Sequence, residues 1–175
     1  ANISTAEGID AVRRAKQKGL AVSCDTAPHY FALNDGAVTD YRTFAKVSPP
    51  LRIEADRLAV IAGLADGTID AIASDHAPHA QDSKRLPFAQ AETGIVGLET
   101  LLPLTLELVH RGDLSLTRAM AALTATPAKI LGLAAGRLAV GSQADFTLIN
   151  LTHAGRINVG QFRSKSKNSP FNGRP

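Results

Sequence analysis

Along most of the chain, short apolar runs alternate with amphipathic stretches. Ile9, Val12 and Ala15 form one helical stripe behind Ser4 or Thr5, either of which can cap a helix carrying Glu7 in its first turn. Lys16 and Lys18 precede the stop at Gly19, and Leu20-Ala21-Val22-Ser23-Cys24 follows as a short strand that Pro28 ends. Ser48-Pro49-Pro50-Leu51-Arg52 excludes a helix at its centre, because proline removes a donor and restricts the residue before it. Leu58, Ile61, Ala62, Leu64 and Ala65 predict a helix over 57–65, and Ile69-Asp70-Ala71-Ile72-Ala73 predicts a second strand. The very apolar stretch 94–110 predicts a long helix that Pro103 kinks or divides. A further helix covers 116–124, and Thr126-Pro127 starts another, since proline suits the first helical position. After Gly136 the period changes, and 137–141 and 145–150 read as two strands around a Gly-Ser turn.

Strand–helix alternation over residues 1–75 is the mark of a parallel α/β sheet or barrel. The expected division is an α/β part over 1–135 and a small β-appendage with a tail over 136–175.

At 175 residues and 45% hydrophobic, the chain can bury a sizeable core. No apolar run approaches the ~20 residues that span a bilayer, and the first residues lack the pattern of a secretory signal. The expectation is a cytoplasmic protein with no membrane role. Cys24 is the sole cysteine, which excludes an intrachain disulfide and a cysteine-built zinc site. The net charge of +3 sits in the tail, where residues 156–175 hold Arg156, Arg163, Lys165, Lys167 and Arg174 and no acid, while the rest holds 14 basic against 16 acidic residues. Only Phe162 and Phe171 interleave those cations, so the tail reads as solvated and nucleic acid is not the expected partner.

The chemistry concentrates in Ser74-Asp75-His76-Ala77-Pro78-His79, directly after the second predicted strand. Side chains there stand at the C-terminal edge of a strand, where barrel enzymes place catalytic groups. Asp75 can ligate a divalent metal and carry a proton, and Pro78 stiffens the loop that aims His79. The plainer reading has His76 capping backbone groups and Asp75 capping a turn. Elsewhere, His110 reads as a helix cap, His153 as solvent-facing and Cys24 as packing. Leu98, Leu101, Leu102, Leu104 and Leu106 read as core, and Lys84 and Arg85 as a loop over the site or as surface charge.

The Asp75-His76-Ala77-Pro78-His79 motif resembles the eighth-strand motif of the dihydroorotases. Other stretches match in order and spacing: Ile3-Ser4-Thr5, Ala27-Pro28-His29, Pro49-Pro50-Leu51-Arg52, Gly97-Leu98-Glu99-Thr100, 126–133, and Lys167-Asn168-Ser169-Pro170-Phe171. The resemblance covers essentially the whole chain. It implies the C-terminal part of a (β/α)8 TIM-type barrel, about strands 6–8 with their helices, plus part of a small flanking β domain. It also implies the reversible interconversion of N-carbamoyl-L-aspartate and L-dihydroorotate in pyrimidine biosynthesis, with Zn2+ as cofactor. Asp75 would be a metal ligand and the general acid/base. His79 would contact the substrate carboxylate, the backbone around Thr93 and Gly94 the ring, and Ser48 would add a polar side chain.

Against that pattern, Asn2 stands where the family's strand-six histidine ligand is usual, Tyr30 where a second histidine is common, and Ser48 where asparagine is common. The ligands of strands one, four and five have no counterpart here, so the isolated chain is expected to be inactive. A second reading is a non-catalytic homologue that serves as a scaffold for aspartate carbamoyltransferase; a third is a hydantoinase- or allantoinase-type amidase. A homo-oligomer is the expected assembly.

Overall fold

A computed structural model describes residues 1–152 and 155–175, so the reading of His153 lies outside the described residues. Helix α1 (Ala6–Gln17) starts where Thr5 Oγ1 accepts from Gly8 N at 3.2 Å, and it holds Glu7 in its first turn and Lys16 in its last, matching the helix dipole. Strand β1 (Asp25–Thr26) leads into the short helix α2 (Pro28–Ala32), which has proline at its start. Two 3-10 turns (Asp35–Tyr41 and Thr43–Ala45) follow, then α3 (Glu54–Asp66), closed by Gly67 at φ +83°. Beyond β2 (Ala71–Ile72) come α4 (Gln81–Lys84), α5 (Leu101–His110), α6 (Leu116–Leu123) and α7 (Ala125–Ile130).

β1 and β2 pair in parallel, Asp25 with Ala71 and Thr26 with Ile72, and α3 packs along the crossover between them against α1 and α2. Two extended segments widen this pair. Ile3 N donates to Asp25 O at 2.8 Å, and His76 forms a parallel bridge with Ile95. Lys16 Nζ reaches both Asp70 carboxylate oxygens at 2.7 Å, and Asp70 Oδ2 accepts from Cys24 N at 2.9 Å, so one ion pair fixes α1 to the starts of both strands. Ile9, Phe31, Val60, Leu64, Ile69, Leu104, Leu108 and Phe171 form the core between sheet and helices. The chain is thus α/β with parallel strands, as its alternation predicts. Among the described residues no helix is long and apolar enough to cross a membrane.

Several elements differ from their sequence pattern. The first strand lies at Asp25–Thr26, beyond the expected 20–24, and the second shrinks from 69–73 to Ala71–Ile72, because ladder partners exist only where Cys24 and Thr26 carbonyls meet Asp70 and Ala73 amides. Leu20 and Val22, upstream of that ladder, stay exposed. Pro103 is the third residue of α5, in the turn whose amides have no intrahelical partner, so it neither kinks nor divides the helix. α5 starts at Leu101 and not at residue 94, because residues 94–96 are drawn off into backbone bonds with Lys46, His76 and Asn168 segments. Leu104 and Leu106 are buried, but Leu98 is exposed. The strands expected over 137–141 and 145–150 are absent, and Leu138, Val140, Phe146 and Leu148 stand in solvent. The tail instead returns to the α/β part: Phe171 enters the core and Asn168 O accepts from Val96 N at 3.0 Å.

The crossing of residues 74 and 97 is the tightest approach near the motif, since a Cβ on Gly97 would lie 2.0 Å from Ser74 O. Gly97→Ala must push the Asp75 loop off the Ile95 segment, with an expected stability loss of about 2 kcal/mol in urea unfolding. A loss below ~0.5 kcal/mol would show that the approach is slack.

Candidate functional site at the strand ends

Because β1 and β2 run parallel, the segments after them, 27–30 and 73–79, emerge at the same edge. Ala27-Pro28-His29 and Ala77-Pro78-His79 are the same tripeptide at these two exits. Asp75 is held at φ +46°, a left-handed conformation that aspartate tolerates better than most residues. This turn faces its carboxylate toward α2, where Oδ2 lies 3.5 Å from His29 Nε2. The Asp75 side chain is 30% exposed, the His29 side chain 1%.

Burial pushes the His29 imidazole down to about 4, so a neutral ring faces the carboxylate. Its Nε2 has no hydrogen-bond partner. The Tyr30 ring lies tilted against it, 4.2 Å between ring centroids, and its hydroxyl donates to Pro49 O at 2.8 Å, which ties the Ser48 loop to the same helix. Burial, with the Asp75 carboxylate nearby, pushes the Tyr30 phenol well above its ordinary range. Ser48 itself is exposed.

The two histidines of the motif behave differently. His76 Nδ1 accepts from Gly97 N at 3.1 Å and from Leu98 N at 3.4 Å, the backbone-capping role of the plainer reading. His79 Nε2 meets Thr93 O at 3.0 Å, and its backbone N–H donates to Asn168 Oδ1 at 3.2 Å. Gly94, at φ +125°, leaves no room for a side chain: a Cβ would lie 2.5 Å from Ala77 Cβ. Its N–H donates to Lys46 O at 2.9 Å, and its carbonyl accepts from Lys84 Nζ at 3.0 Å and Asn168 Nδ2 at 3.2 Å. Both polar groups of Gly94 are therefore committed internally. Asn2, at φ 56°, donates its backbone N–H to Asp25 Oδ1.

The structure thus brings His79, Thr93 and Gly94 together, and connects Asp75 to the Ser48 loop through His29 and Tyr30. Lys84, expected in a loop over the site or on the surface, is fully buried behind Gly94. Asn168, His29 and Lys84 carry site contacts that motif reading assigned to none of them. The repeated Ala-Pro-His was the available signal for His29; Asn168 lies in a stretch that matched the family pattern, but that match gave it no contact, and the carbonyls that Lys84 and Asn168 bond are distant in sequence. Cys24 is half-buried, its Sγ 3.4 Å from Thr68 O, and burial raises its pKa. His110 Nε2 meets Leu151 O at 2.9 Å.

For a metal, Asp75 is a suitable donor: a partly exposed carboxylate at a strand end, beside an uncharged imidazole. Among the described residues no group of three or more His, Cys, Asp or Glu side chains is placed to hold one. Asp75 fits as one ligand of a shared set. Two surface concavities, of about 690 Å³ beside Arg42 and Lys167 and about 790 Å³ beside Glu107 and His110, contain neither Asp75 nor His79.

The description "Amidohydrolase family" matches residues 3–174. A dihydroorotase of Anaplasma phagocytophilum (strain HZ) is 52% identical over 173 residues, which are 99% of this chain and 39% of that protein. A dihydroorotase of Geobacter sp. (strain M21) is 53% identical over 99% of this chain and 41% of its own length. Among solved structures, the L-hydantoinase (dihydropyrimidinase) from Arthrobacter aurescens superposes with a TM-score of 0.94 at 33% identity, covering 99% of this chain and 40% of that one. The dihydropyrimidinase from Brevibacillus agri NCHU1002 gives 0.91 at 27% identity, over 98% of this chain and 40% of its own. The chain spans about 40% of the length of the relatives it matches.

The buried imidazole makes stability depend on pH with a defined sign. The unperturbed ring protonates near pH 6.5 and folded His29 near 4, so between these values the unfolded chain binds the extra proton and stability falls as pH falls. The expected loss is about 3 kcal/mol, complete below the folded value. His29→Gln should flatten that slope in acid-unfolding curves; an unchanged slope would assign the acid sensitivity elsewhere.

Proposed function

As the chain belongs to the amidohydrolase family, whose structural neighbours place it in the (β/α)8-barrel superfamily, we propose that it is the C-terminal part of a dihydroorotase. Residues 1–135 then supply about strands 6–8 of the barrel with their helices, and 136–175 contribute to the flanking β domain and the tail. The observation that carries this reading is the Asp75 carboxylate at the C-terminal edge of a parallel strand, free of strong protein partners. Identity of 52–53% to dihydroorotases over nearly the whole chain supports it.

The reaction is the reversible closure of N-carbamoyl-L-aspartate to L-dihydroorotate. Asp75 is one ligand of a divalent metal, Zn2+ in this reading, whose other ligands come from strands outside this chain. The metal, when bound, polarises the ring amide carbonyl and eases ionisation of the attacking water. In the hydrolytic direction Asp75 takes the proton of that water and passes it to the departing ring nitrogen, and in the reverse direction it runs the same transfer backwards. The His29 ring beside it is neutral and adds no positive charge.

His79 faces the substrate carboxylate. Its Nε2 is taken by Thr93 O, so the contact falls to the Nδ1 side of the ring. With both groups of Gly94 committed, the ring contact of this segment falls to the Thr93 amide. Ser48, on the loop tied down by Tyr30, offers its hydroxyl. The substrate is a small anion, and the protein acts in the cytoplasm as a homo-oligomer.

Asn2 supports a second reading. Amide nitrogen and oxygen are poor zinc donors beside imidazole, and a homologue that lost metal affinity could survive as a scaffold for aspartate carbamoyltransferase. The hydantoinase neighbours support a related cyclic-amide substrate less well, since their identity is 27–33%.

In the full-length protein, Asp75→Ala should lower kcat/KM for dihydroorotate at least ~10³-fold and reduce bound zinc, measured by absorbance assay and elemental analysis. Removal of metal by a chelator should abolish turnover, and Asn2→His should raise zinc affinity. Stoichiometric zinc without turnover, or turnover unaffected by Asp75→Ala, contradicts the dihydroorotase reading. The isolated 175 residues should show no hydrolysis.

A further inference from the structure

Lys84, the last residue of α4, is 0% exposed, yet its three acceptors are all backbone carbonyls: Glu92 O at 2.8 Å, Gly94 O at 3.0 Å and Lys46 O at 3.4 Å. A buried ammonium costs several kcal/mol unless it is hydrogen-bonded, so its donors pull these dipoles strongly. Burial and the neighbouring Lys46 lower its pKa to about 8, which leaves most of the charge in place at neutral pH.

Carbonyls along an extended segment alternate in direction. With Glu92 O and Gly94 O drawn to Lys84, Thr93 O points the opposite way, where it meets His79 Nε2 at 3.0 Å. Lys46 reinforces the arrangement from outside: its carbonyl accepts from Gly94 N, and its Nζ caps Phe88 O at 2.8 Å and Ala91 O at 2.7 Å. The hinge at Gly94 tolerates this only because it carries no side chain.

We propose that Lys84 is a positioning residue: its ammonium fixes the Glu92 and Gly94 carbonyls and so aims the Thr93 carbonyl that orients His79 toward an anionic substrate. The inference rests on the reading of His79 as the contact for the substrate carboxylate. It predicts a defect in binding and not in proton transfer, because none of the Lys84 bonds reaches Asp75.

The test uses the full-length zinc-loaded protein with Lys84→Met, which keeps the length but not the donors, and Lys84→Gln, which keeps two donors without charge. Lys84→Met should raise KM for dihydroorotate ~10-fold or more, as expected for loss of charged hydrogen bonds, while kcat and zinc content stay within ~2-fold. Lys84→Gln should fall between it and the wild type. Amide hydrogen exchange should accelerate at residues 92–95 in both variants and not in α3. An unchanged KM overturns the proposal, as does a loss confined to kcat, or exchange that rises equally in α3, the mark of a merely structural role. If the wild type does not turn over dihydroorotate, the dihydroorotase reading falls. The exchange comparison then still decides: selective acceleration at 92–95 upholds the clamp, and none refutes it.

Discussion

Parallel pairing of Asp25–Thr26 with Ala71–Ile72 constrains everything that follows. Strands of the same direction discharge their next residues at the same edge, so two Ala-Pro-His segments 50 positions apart in the sequence become neighbours. The ladder is only two residues long and would not hold alone. It is secured by polar ties with a heavy cost if broken: Lys16 on Asp70, Asp70 on the Cys24 amide, and Arg118 from α6 on Leu64 O at 2.8 Å and on Ile69 O. Apolar packing of α3 against Ile9, Ile69 and the rest of the core supplies the burial, and these bonds set the register.

The site repeats that logic on a smaller scale. Side chains with chemical roles are placed by backbone atoms of distant segments, and those segments are placed by buried polar side chains. Asn168 accepts from His79 N and donates to Ala77 O and Gly94 O, so the tail closes the loop that carries the motif. Lys84 and Lys46 do the same for the segment facing it. Loss of any one of these leaves an unpaired buried polar group, which costs more than the bond itself contributes.

The longer helices α1, α3 and α6 were legible in the sequence because their signal is local; α2 and α4, too short for a periodic stripe, were not. The 3.6-residue stripe, Thr5 as a cap and Gly67 as a stop all act within one turn. Strand lengths were less legible, since a strand ends where its partner ends, and the exposed Leu20 and Val22 show apolar alternation without a partner. The same holds for 137–150, whose apolar residues pattern as strands but find no neighbour. Pro103 misled because its effect depends on position within a helix, and the start of α5 was set by the Gly94–Val96 backbone bonds and not by hydrophobicity. In the site, Asp75 and His79 announced themselves by motif. Lys84 read as loop or surface charge, because the carbonyls that bury it lie 8, 10 and 38 positions away.

Asp75 as a metal ligand is the claim on which the chemistry stands. Anomalous X-ray scattering at the zinc edge, from crystals of the full-length protein, tests it without recourse to turnover. The account predicts a peak ~2.0–2.2 Å from an Asp75 carboxylate oxygen. A zinc-containing crystal with no peak beside Asp75, its carboxylate bonded only to His29, would contradict it.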